Sequence, residues 1–315
     1  MSPHAAMESR VFLFYLSVAA SLLVLAGAVI AGLRWGLGKN VDHAWQSYRG
    51  WLLMVPLLLG AIFLGRVAAI VFFTVVAISG CKEFARATGL YRDWFMTGGV
   101  YLGILACGIT SLVTDPRLDV PGWYGMFMAL PVYVIAGILI IPILRNRSQG
   151  QLQLLALAIV AFLYFGWMFG HLAFLANAKH AYSYVLYLIF AVEINDVAAY
   201  TTGKLFGRHQ LRSNISPKKT WEGALGALAV SLVLPWLLHF TFPHFQAREL
   251  ILTGLIVGVG GQLGDLAISV IKRDLGIKDM GAAIPGHGGI LDRIDSLIYV
   301  APLFFHMTRY FHDLY

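Results

Sequence analysis

The chain has 315 residues, of which 59% are hydrophobic and only 12% are charged, and its mean hydropathy is +0.74. Soluble domains carry about 25% charged residues, so this composition excludes an ordinary soluble protein and predicts that lipid surrounds much of the chain. The net charge of +7 would suggest nucleic acid in a soluble protein, but in a membrane protein it fits basic cytoplasmic loops, so we expect no nucleic-acid partner.

Apolar stretches long enough to cross a bilayer, which takes about 20 residues, recur along the whole chain. They cover residues 11–33, 95–112, 124–144, 152–175, 184–203, 223–242, 250–271 and 296–310. Residues 51–80 are interrupted by Gly65 and Arg66, so they form either two short spans or one long kinked span. The pattern predicts an all-α, polytopic membrane protein with about nine or ten transmembrane helices.

The charged residues concentrate late in the chain. Residues 193–295 hold 19 of the 39 charged residues. Two loops there, after the stretches that end near residues 203 and 271, are strongly basic, which predicts that both lie on the cytoplasmic side. We therefore divide one integrated membrane domain into scaffold helices, residues 1–190, and a catalytic region, residues 191–315.

Asp265 lies inside a predicted membrane helix, where a carboxylate costs about 2.5–3.5 kcal/mol and usually faces a polar interior. Asp265, Ser269 and Lys272 share one helix face, and the glycines before Asp265 allow close approach by a backbone or ligand. The alternative is a structural salt bridge to a neighbouring helix.

Asp292 and Asp295 are three residues apart, so in a helix their carboxylates project on the same side. Such a pair repels unless a cation lies between its oxygens, and magnesium commonly takes one or two protein carboxylates plus waters and substrate phosphates. Asp265, Asp292 and Asp295 together would supply that arrangement. The alternative for the pair is a solvated helix start, where acidic residues are common.

The loop between these elements ends in Pro285-Gly286-His287-Gly288-Gly289. Glycines leave backbone N–H groups free to face an anion, and His287 adds a donor or an acid–base group. Because a histidine between glycines has little to pack against, we expect His287 to be functional.

A basic segment, Ser216-Pro217-Lys218-Lys219, precedes another apolar stretch. Ser216 is suited to cap a helix that has Pro217 at its first position, and the lysines would then make the helix start a phosphate cradle. The alternative is an ordinary basic cap at the cytoplasmic end of a span.

Glu193 and Asp196 share a helix face near the cytoplasmic end of an earlier span, with Asn195 between them. Polar residues there suggest a cavity for the nucleotide or a second cation, or equally a hydrogen bond between helices.

These residues resemble a known family, the CDP-diacylglycerol synthases, also called phosphatidate cytidylyltransferases. The resemblance covers roughly residues 190–300. Its signature runs through Ser269-Val270-Ile271-Lys272-Arg273, Lys278-Asp279-Met280-Gly281, Pro285-Gly286-His287-Gly288-Gly289-Ile290 and Asp292-Arg293-Ile294-Asp295, with further polar blocks at residues 196–203 and 216–223.

The resemblance implies a reaction of CTP with phosphatidate that gives CDP-diacylglycerol and pyrophosphate and depends on Mg²⁺, with a second cation left open. We expect an integral membrane enzyme of the bacterial inner membrane whose active site faces the cytoplasm, and a homodimer is one option for its oligomeric state. The implied metal ligands are Asp265, Asp292 and Asp295, with His287 and Lys272 as further catalytic residues. Substrate binding is expected at Ser216, Lys218, Lys219, Arg273, Arg293 and Asp196.

Two other functions are compatible with parts of this pattern. A cytidylyltransferase for another lipid phosphate would need the same polar groups. A transporter would also place carboxylates in the membrane, but it should show matching polar breaks in two repeated halves. Here the polar residues lie in one C-terminal stretch, which favours the enzyme.

Overall fold

The computed structural model describes residues 1–314 and is dominated by α-helices. The helices of the first half are α1 (Pro3–Glu8), α2 (Arg10–Ala31), α3 (Asp42–Leu64), α4 (Arg66–Thr88), α5 (Trp94–Leu112), α6 (Tyr124–Leu144), α7 (Gln151–Ala161) and α8 (Gly170–Phe174). The second half contains α9 (Ala181–Phe206), α10 (Trp221–Leu237), α11 (Ala247–Leu255), α12 (Gly261–Asp274) and α13 (Leu291–Phe311). Wider π-helical turns continue α2 and join α7 towards α8 and α11 to α12.

Eight helical segments within residues 1–314 are long and apolar enough to cross a membrane. They are Arg10–Gly36, Asp42–Leu64, Arg66–Thr88, Trp94–Leu112, Tyr124–Leu144, Gln151–Asn177, Ala181–Phe206 and Ala247–Asp274. Two further helices complete the bundle, since α10 packs along α9 and α13 packs along α12. The predicted all-α, polytopic membrane fold is confirmed.

Gly65 separates α3 from α4 and settles the interpretation of residues 51–80. Its φ of 110° is one that L side chains rarely adopt. The region therefore belongs to two spans of 23 residues each. The alternative of two spans is correct, but the spans are longer than predicted. They extend beyond residues 51–80, because α3 begins at Asp42 and α4 continues to Thr88.

A small antiparallel hairpin, β1 (Gln210–Arg212) and β2 (Ser216–Thr220), follows α9. The prediction that Ser216 caps a helix with Pro217 at its first position is therefore wrong. Residues 216–220 are extended because pairing with β1 satisfies backbone groups that the first turn of a helix would leave unpaired. Thr220 caps α10 instead, and its hydroxyl oxygen accepts a hydrogen bond from the Gly223 N–H at 3.1 Å.

Glycines let the polar helices approach one another closely. A Cβ on Gly264 of α12 would lie 2.5 Å from the carbonyl oxygen of Asp295 on α13, so only glycine permits this contact. The Ser296 hydroxyl also donates to the Gly261 carbonyl at 3.0 Å. This packing places Asp265 on α12 beside the first turns of α13.

Candidate active site

The predicted site residues meet at one end of the helix bundle. Side-chain contacts join the β-hairpin, α12 and the start of α13 there, and α9 packs against the hairpin and α12. The start of α3 and the end of α4 reach the same place through contacts with the loop between α12 and α13. The site is therefore built from both halves of the chain.

Lys219 and Asp265 form an ion pair at the centre of this region. The Lys219 Nζ lies 2.7 Å from Oδ2 of Asp265 and also donates to Oε1 of Gln262 at 3.3 Å. The Ser269 hydroxyl donates to Oδ1 of Asp265 at 3.1 Å, which confirms that these residues share a helix face. The ion pair links the hairpin to α12. A phosphate that entered the site would compete with Asp265 for the Lys219 ammonium group.

Lys272 and Asp292 form a second ion pair, between α12 and α13. The Lys272 Nζ donates to Oδ1 of Asp292 at 3.0 Å, and both side chains are largely buried. Oδ2 of Asp292 accepts hydrogen bonds from the N–H groups of Met280 and Gly289, at 3.2 and 3.0 Å. Asp292 thus holds the ends of the intervening loop together, which is a structural task in addition to any ligand contact.

Asp295 points towards α9 and α12. It is 7% exposed, and the only hydrogen bond to its carboxylate within residues 1–314 comes from the Ser296 N–H at 2.8 Å. Asp196 and Asp265 are both within electrostatic range of Asp295, and Arg293 and Lys219 are within range of Asp196. The Asp295 carboxylate therefore interacts electrostatically with those of Asp196 and Asp265, and basic groups lie within the same range.

Several buried donors in this region lack an acceptor among the described residues. They are Nδ2 of Asn195, Nε2 of Gln262 and Nε of Arg293. Buried polar groups in native proteins are nearly always hydrogen-bonded. These donors therefore fit a site that is completed by water or by an acceptor-rich ligand such as a phosphate or a nucleotide.

His287 has more neighbours than its glycine flanks suggested. Its ring contacts Trp51 of α3 edge to face, with centroids 5.5 Å apart, and a Cβ on Gly50 would clash with it. Its Nδ1 lies 3.2 Å from the Pro285 carbonyl. Burial lowers the pKa of His287 below its ordinary value, and nearby Arg293 acts in the same direction. The expectation that it has little to pack against is wrong, because α3 reaches the loop.

Three predicted substrate-binding residues lie at the rim of the site. Lys218 is exposed, Ser216 is half-buried, and neither side chain makes a hydrogen bond or ion pair within residues 1–314. Arg273 donates from Nε to the Ile215 carbonyl at 3.1 Å and from Nη1 to the Ile277 carbonyl at 3.2 Å. Arg273 therefore fixes the hairpin against the end of α12.

The three predicted magnesium ligands, Asp265, Asp292 and Asp295, lie on the two neighbouring helices α12 and α13. No group of three or more His, Cys, Asp or Glu side chains in the described part of the chain encloses a metal position. Magnesium does not require such a group, because waters and substrate phosphates supply most of its ligands. Both oxygens of Asp265 and both oxygens of Asp292 already have protein partners, so magnesium would have to replace one of these contacts at either carboxylate. The three-carboxylate assignment remains a prediction.

Two residues outside the predicted site contact it directly. Gln262 bonds Lys219, and Glu83 of α4 accepts hydrogen bonds from the loop before α13. Gln262 lies in the glycine-rich stretch one helical turn before Asp265. Its polar side chain at that position in an apolar stretch could have identified it as a site residue from the sequence. Glu83 is about 200 residues away in sequence, and nothing in its neighbourhood marks it.

The fold and site together define a class: a polytopic α-helical membrane protein with a polar site at one end of the bundle, where lysines and carboxylates suit a metal-complexed nucleotide. Comparison with known sequences narrows this class. The sequence model of the cytidylyltransferase family matches residues 45–311, so the chain belongs to that family. It is a CTP-dependent nucleotidyltransferase and an integral membrane protein.

Individual relatives fall into two groups. The chain is 29% identical over 308 residues to the uncharacterized protein YnbB of Escherichia coli strain K12, a match that covers 92% of this chain and 96% of that protein. It is 41% and 42% identical over 161 residues to proteins named phosphatidate cytidylyltransferase from Staphylococcus haemolyticus strain JCSC1435 and Staphylococcus aureus strain COL. Those two matches cover 50% of this chain and 60% of each staphylococcal protein.

Proposed function

We propose that this protein is a phosphatidate cytidylyltransferase, which transfers CMP from CTP to phosphatidate and releases pyrophosphate. The observation that carries the proposal is the pair of lysine–carboxylate contacts, Lys219 with Asp265 and Lys272 with Asp292, at one end of a membrane bundle. The staphylococcal relatives named for this activity support the choice of acceptor.

The reaction needs no nucleophile from the protein. An oxygen of the phosphatidate phosphate attacks the α-phosphorus of CTP, a new P–O bond forms, and the bond between the α-phosphorus and the bridging oxygen breaks. Pyrophosphate leaves with that oxygen and its electron pair. Such transfers depend mainly on positioning and on neutralising charge as it develops.

The side chains of the site suit these two tasks. Lys219, Lys272 and Arg293 would bind phosphate oxygens, and Lys219 would exchange part of its contact with Asp265 for the ligand. Asp265 and Asp295 would hold magnesium, with Asp292 as the third predicted ligand. Magnesium bound there would neutralise phosphate charge and stabilise the leaving pyrophosphate.

The distribution of basic residues supports a cytoplasmic site in a bacterial inner membrane. The helices alternate in direction, so each Lys and Arg can be placed towards the site end or the opposite end of the bundle. Of 23 such residues, 17 lie towards the site end. The six towards the opposite end are Arg10, Arg66, Arg117, Lys179, Arg248 and Arg309. The positive-inside rule then puts the site next to cytosolic CTP.

The direct test is to incubate the detergent-purified protein with labelled CTP, magnesium and phosphatidate and to look for lipid-linked CMP. We expect product with the wild type and none with Asp265→Asn, while the wild type and the variant elute as the same folded species on size exclusion. Lyso- and ether-lipid phosphates, run in parallel, test the acceptor. The absence of any CMP-lipid in several detergents would contradict the proposal, and product with only another lipid phosphate would correct the acceptor.

A further inference from the structure

Glu83, near the end of α4 that reaches the site, is hydrogen-bonded to the start of α13. Its Oε1 accepts from the Ile290 N–H at 3.0 Å and its Oε2 accepts from the Leu291 N–H at 2.9 Å. Ile290 is the N-cap residue of α13 and offers no side-chain cap of its own. The cap is therefore supplied by a helix from the other half of the chain.

The helix start that Glu83 caps holds three of the predicted site residues. Asp292, Arg293 and Asp295 all lie within the first two turns of α13, so a shift of its first turn would move each of them. Glu83 makes no ion pair within residues 1–314, and its charge faces two backbone donors at the positive end of a 21-residue helix. The helix start is a favourable place for a carboxylate, and the two hydrogen bonds hold the first turn of α13 against α4.

Two glycines of the loop make room for this carboxylate. A Cβ on Gly281 would lie 2.5 Å from Oε1 of Glu83, and the three atoms nearest to it all belong to the Glu83 side chain. A Cβ on Gly289 would clash with Oε2 of Glu83 and would also meet the backbone N of Gly281 at 2.9 Å. A side chain at position 281 would therefore meet the Glu83 side chain first.

We propose that Glu83 is a positioning residue of the active site: it fixes the first turn of α13, and with it Asp292, Arg293 and Asp295, against α4. It acts through the backbone and does not touch substrate. The kinetic measurements that test this role rest on the proposed cytidylyltransferase reaction, whereas the hydrogen–deuterium exchange measurements do not.

The first experiment compares Glu83→Ala, Glu83→Gln and, as a control, Glu8→Gln, which removes an exposed carboxylate at the opposite end of the bundle. We expect kcat to fall about 100-fold in Glu83→Ala, because small displacements of catalytic groups have effects of that size. Glu83→Gln should lose about tenfold, since one amide oxygen can still accept. The KM for CTP should change less than kcat, because Lys219 and Lys272 lie on other elements.

Hydrogen–deuterium exchange supplies a readout that is independent of activity. In Glu83→Ala the peptide that covers residues 280–291 should exchange faster, while the peptides of α5, α6 and α9 keep their wild-type rates. Glu8→Gln should match the wild type throughout. Unchanged exchange at residues 280–291 together with normal kcat in Glu83→Ala would overturn the proposal, and a uniform rise in exchange would show a general folding role instead.

A double-mutant cycle tests the contact itself. Gly281→Ala should lower kcat in the wild-type background, because its methyl group displaces the Glu83 carboxylate. In the Glu83→Ala background the same change should cost at most about twofold more, because the obstructing atoms are gone. Fully additive losses would show that Gly281 and Glu83 act independently and would overturn the proposal.

The proposed reaction and the role of Glu83 can fail separately. If the wild type makes no CMP-lipid, the reaction is wrong, and faster exchange at residues 280–291 in Glu83→Ala would still establish the cap. If the wild type is active while Glu83→Ala keeps both normal turnover and normal exchange, only the role of Glu83 is wrong.

Discussion

Lys218 and Lys219 are neighbours in the chain but have different surroundings. They belong to a strand, in which successive side chains point to opposite faces. The Lys219 side chain is directed inward to Asp265 and Gln262, while Lys218 is exposed. Of the two lysines predicted to bind phosphate, Lys219 is the one whose charge lies inside the site.

We therefore expect Lys219→Met and Lys218→Met to differ strongly in activity. Losing Lys219 removes a preorganised cation and leaves Asp265 without its partner, so kcat/KM for CTP should fall about 100-fold or more. Losing Lys218 removes an exposed charge and should cost at most about fivefold. Steady-state assays with phosphatidate measure both, with size exclusion to check folding. Equal losses in the two variants would show that the side-chain directions in the hairpin are wrong.

At the scale of single residues, the sequence located most of the polar groups that meet at the site but not their partners. Asp265 stood out because a charge inside an apolar stretch is costly. Lys272 stood out because it shares a helix face with Asp265, and Asp292 and Asp295 because of their three-residue spacing. Glu83 did not, because it lies beside Lys82 near the end of an apolar helix, where charged residues are common. Only the packing of α4 against α13 shows what its carboxylate does.

At the scale of elements, composition is sufficient to predict the membrane spans, but it does not predict the conformation of the segment before α10. Ser216 and Pro217 suit either the start of a helix or an extended strand. The choice depends on whether a second strand is available, and β1 supplies it. A proline and a capping residue are local signals, whereas strand pairing is a contact between separate segments.

A polar contact also joins two loops on the site side. Nη1 of Arg145, at the end of α6, lies 2.8 and 2.7 Å from the two carboxylate oxygens of Asp93, the N-cap of α5. Burial by itself raises the pKa of Asp93, but the hydrogen bonds from Arg145 and from the Met96 N–H outweigh it, and the pKa lies below its ordinary value. The ionised form is therefore stabilised by the fold.

This contact predicts a pH-dependent stability. Because the pKa of Asp93 is lowered on folding, its contribution is present above its unfolded pKa of about 3.9 and is lost as the pH falls through the folded value. Arg145→Met should reduce stability by about 1.5–3 kcal/mol at pH 7, and the gap from wild type should shrink towards pH 3. Thermal unfolding in detergent at several pH values measures it, with Arg147→Met as the exposed control. A gap that stays constant with pH would exclude Asp93 as its source.

At the scale of the whole molecule, the uneven distribution of basic residues predicts which end of the bundle faces the cytoplasm. The hairpin that contains Asn214 lies at the end with 17 of the 23 basic residues, and the loop that contains Arg117 lies at the other end. The native Cys81 and Cys107 are buried, so cysteines introduced at exposed positions should report accessibility with low background.

We expect Arg117→Cys to react with a membrane-impermeant maleimide in intact cells, and Asn214→Cys to react only after the membrane is permeabilised. Both positions are exposed in the structure, so a difference between them reports the side of the membrane and not burial. The wild type serves as the background control. The opposite pattern would place the site outside the cytoplasm and would contradict its access to CTP.

Composition and the family signature were sufficient to predict a helical membrane protein and a nucleotidyltransferase, while the placement of its chemistry mainly after residue 190 stays a prediction. These follow from composition and from short-range patterns, since insertion of a helix in lipid depends on its own side chains. Tertiary structure alone decided that Lys219 faces Asp265, that α3 packs on His287 and that Glu83 caps α13. Each of these is a contact between segments distant in sequence, and no local pattern fixes which segments will meet.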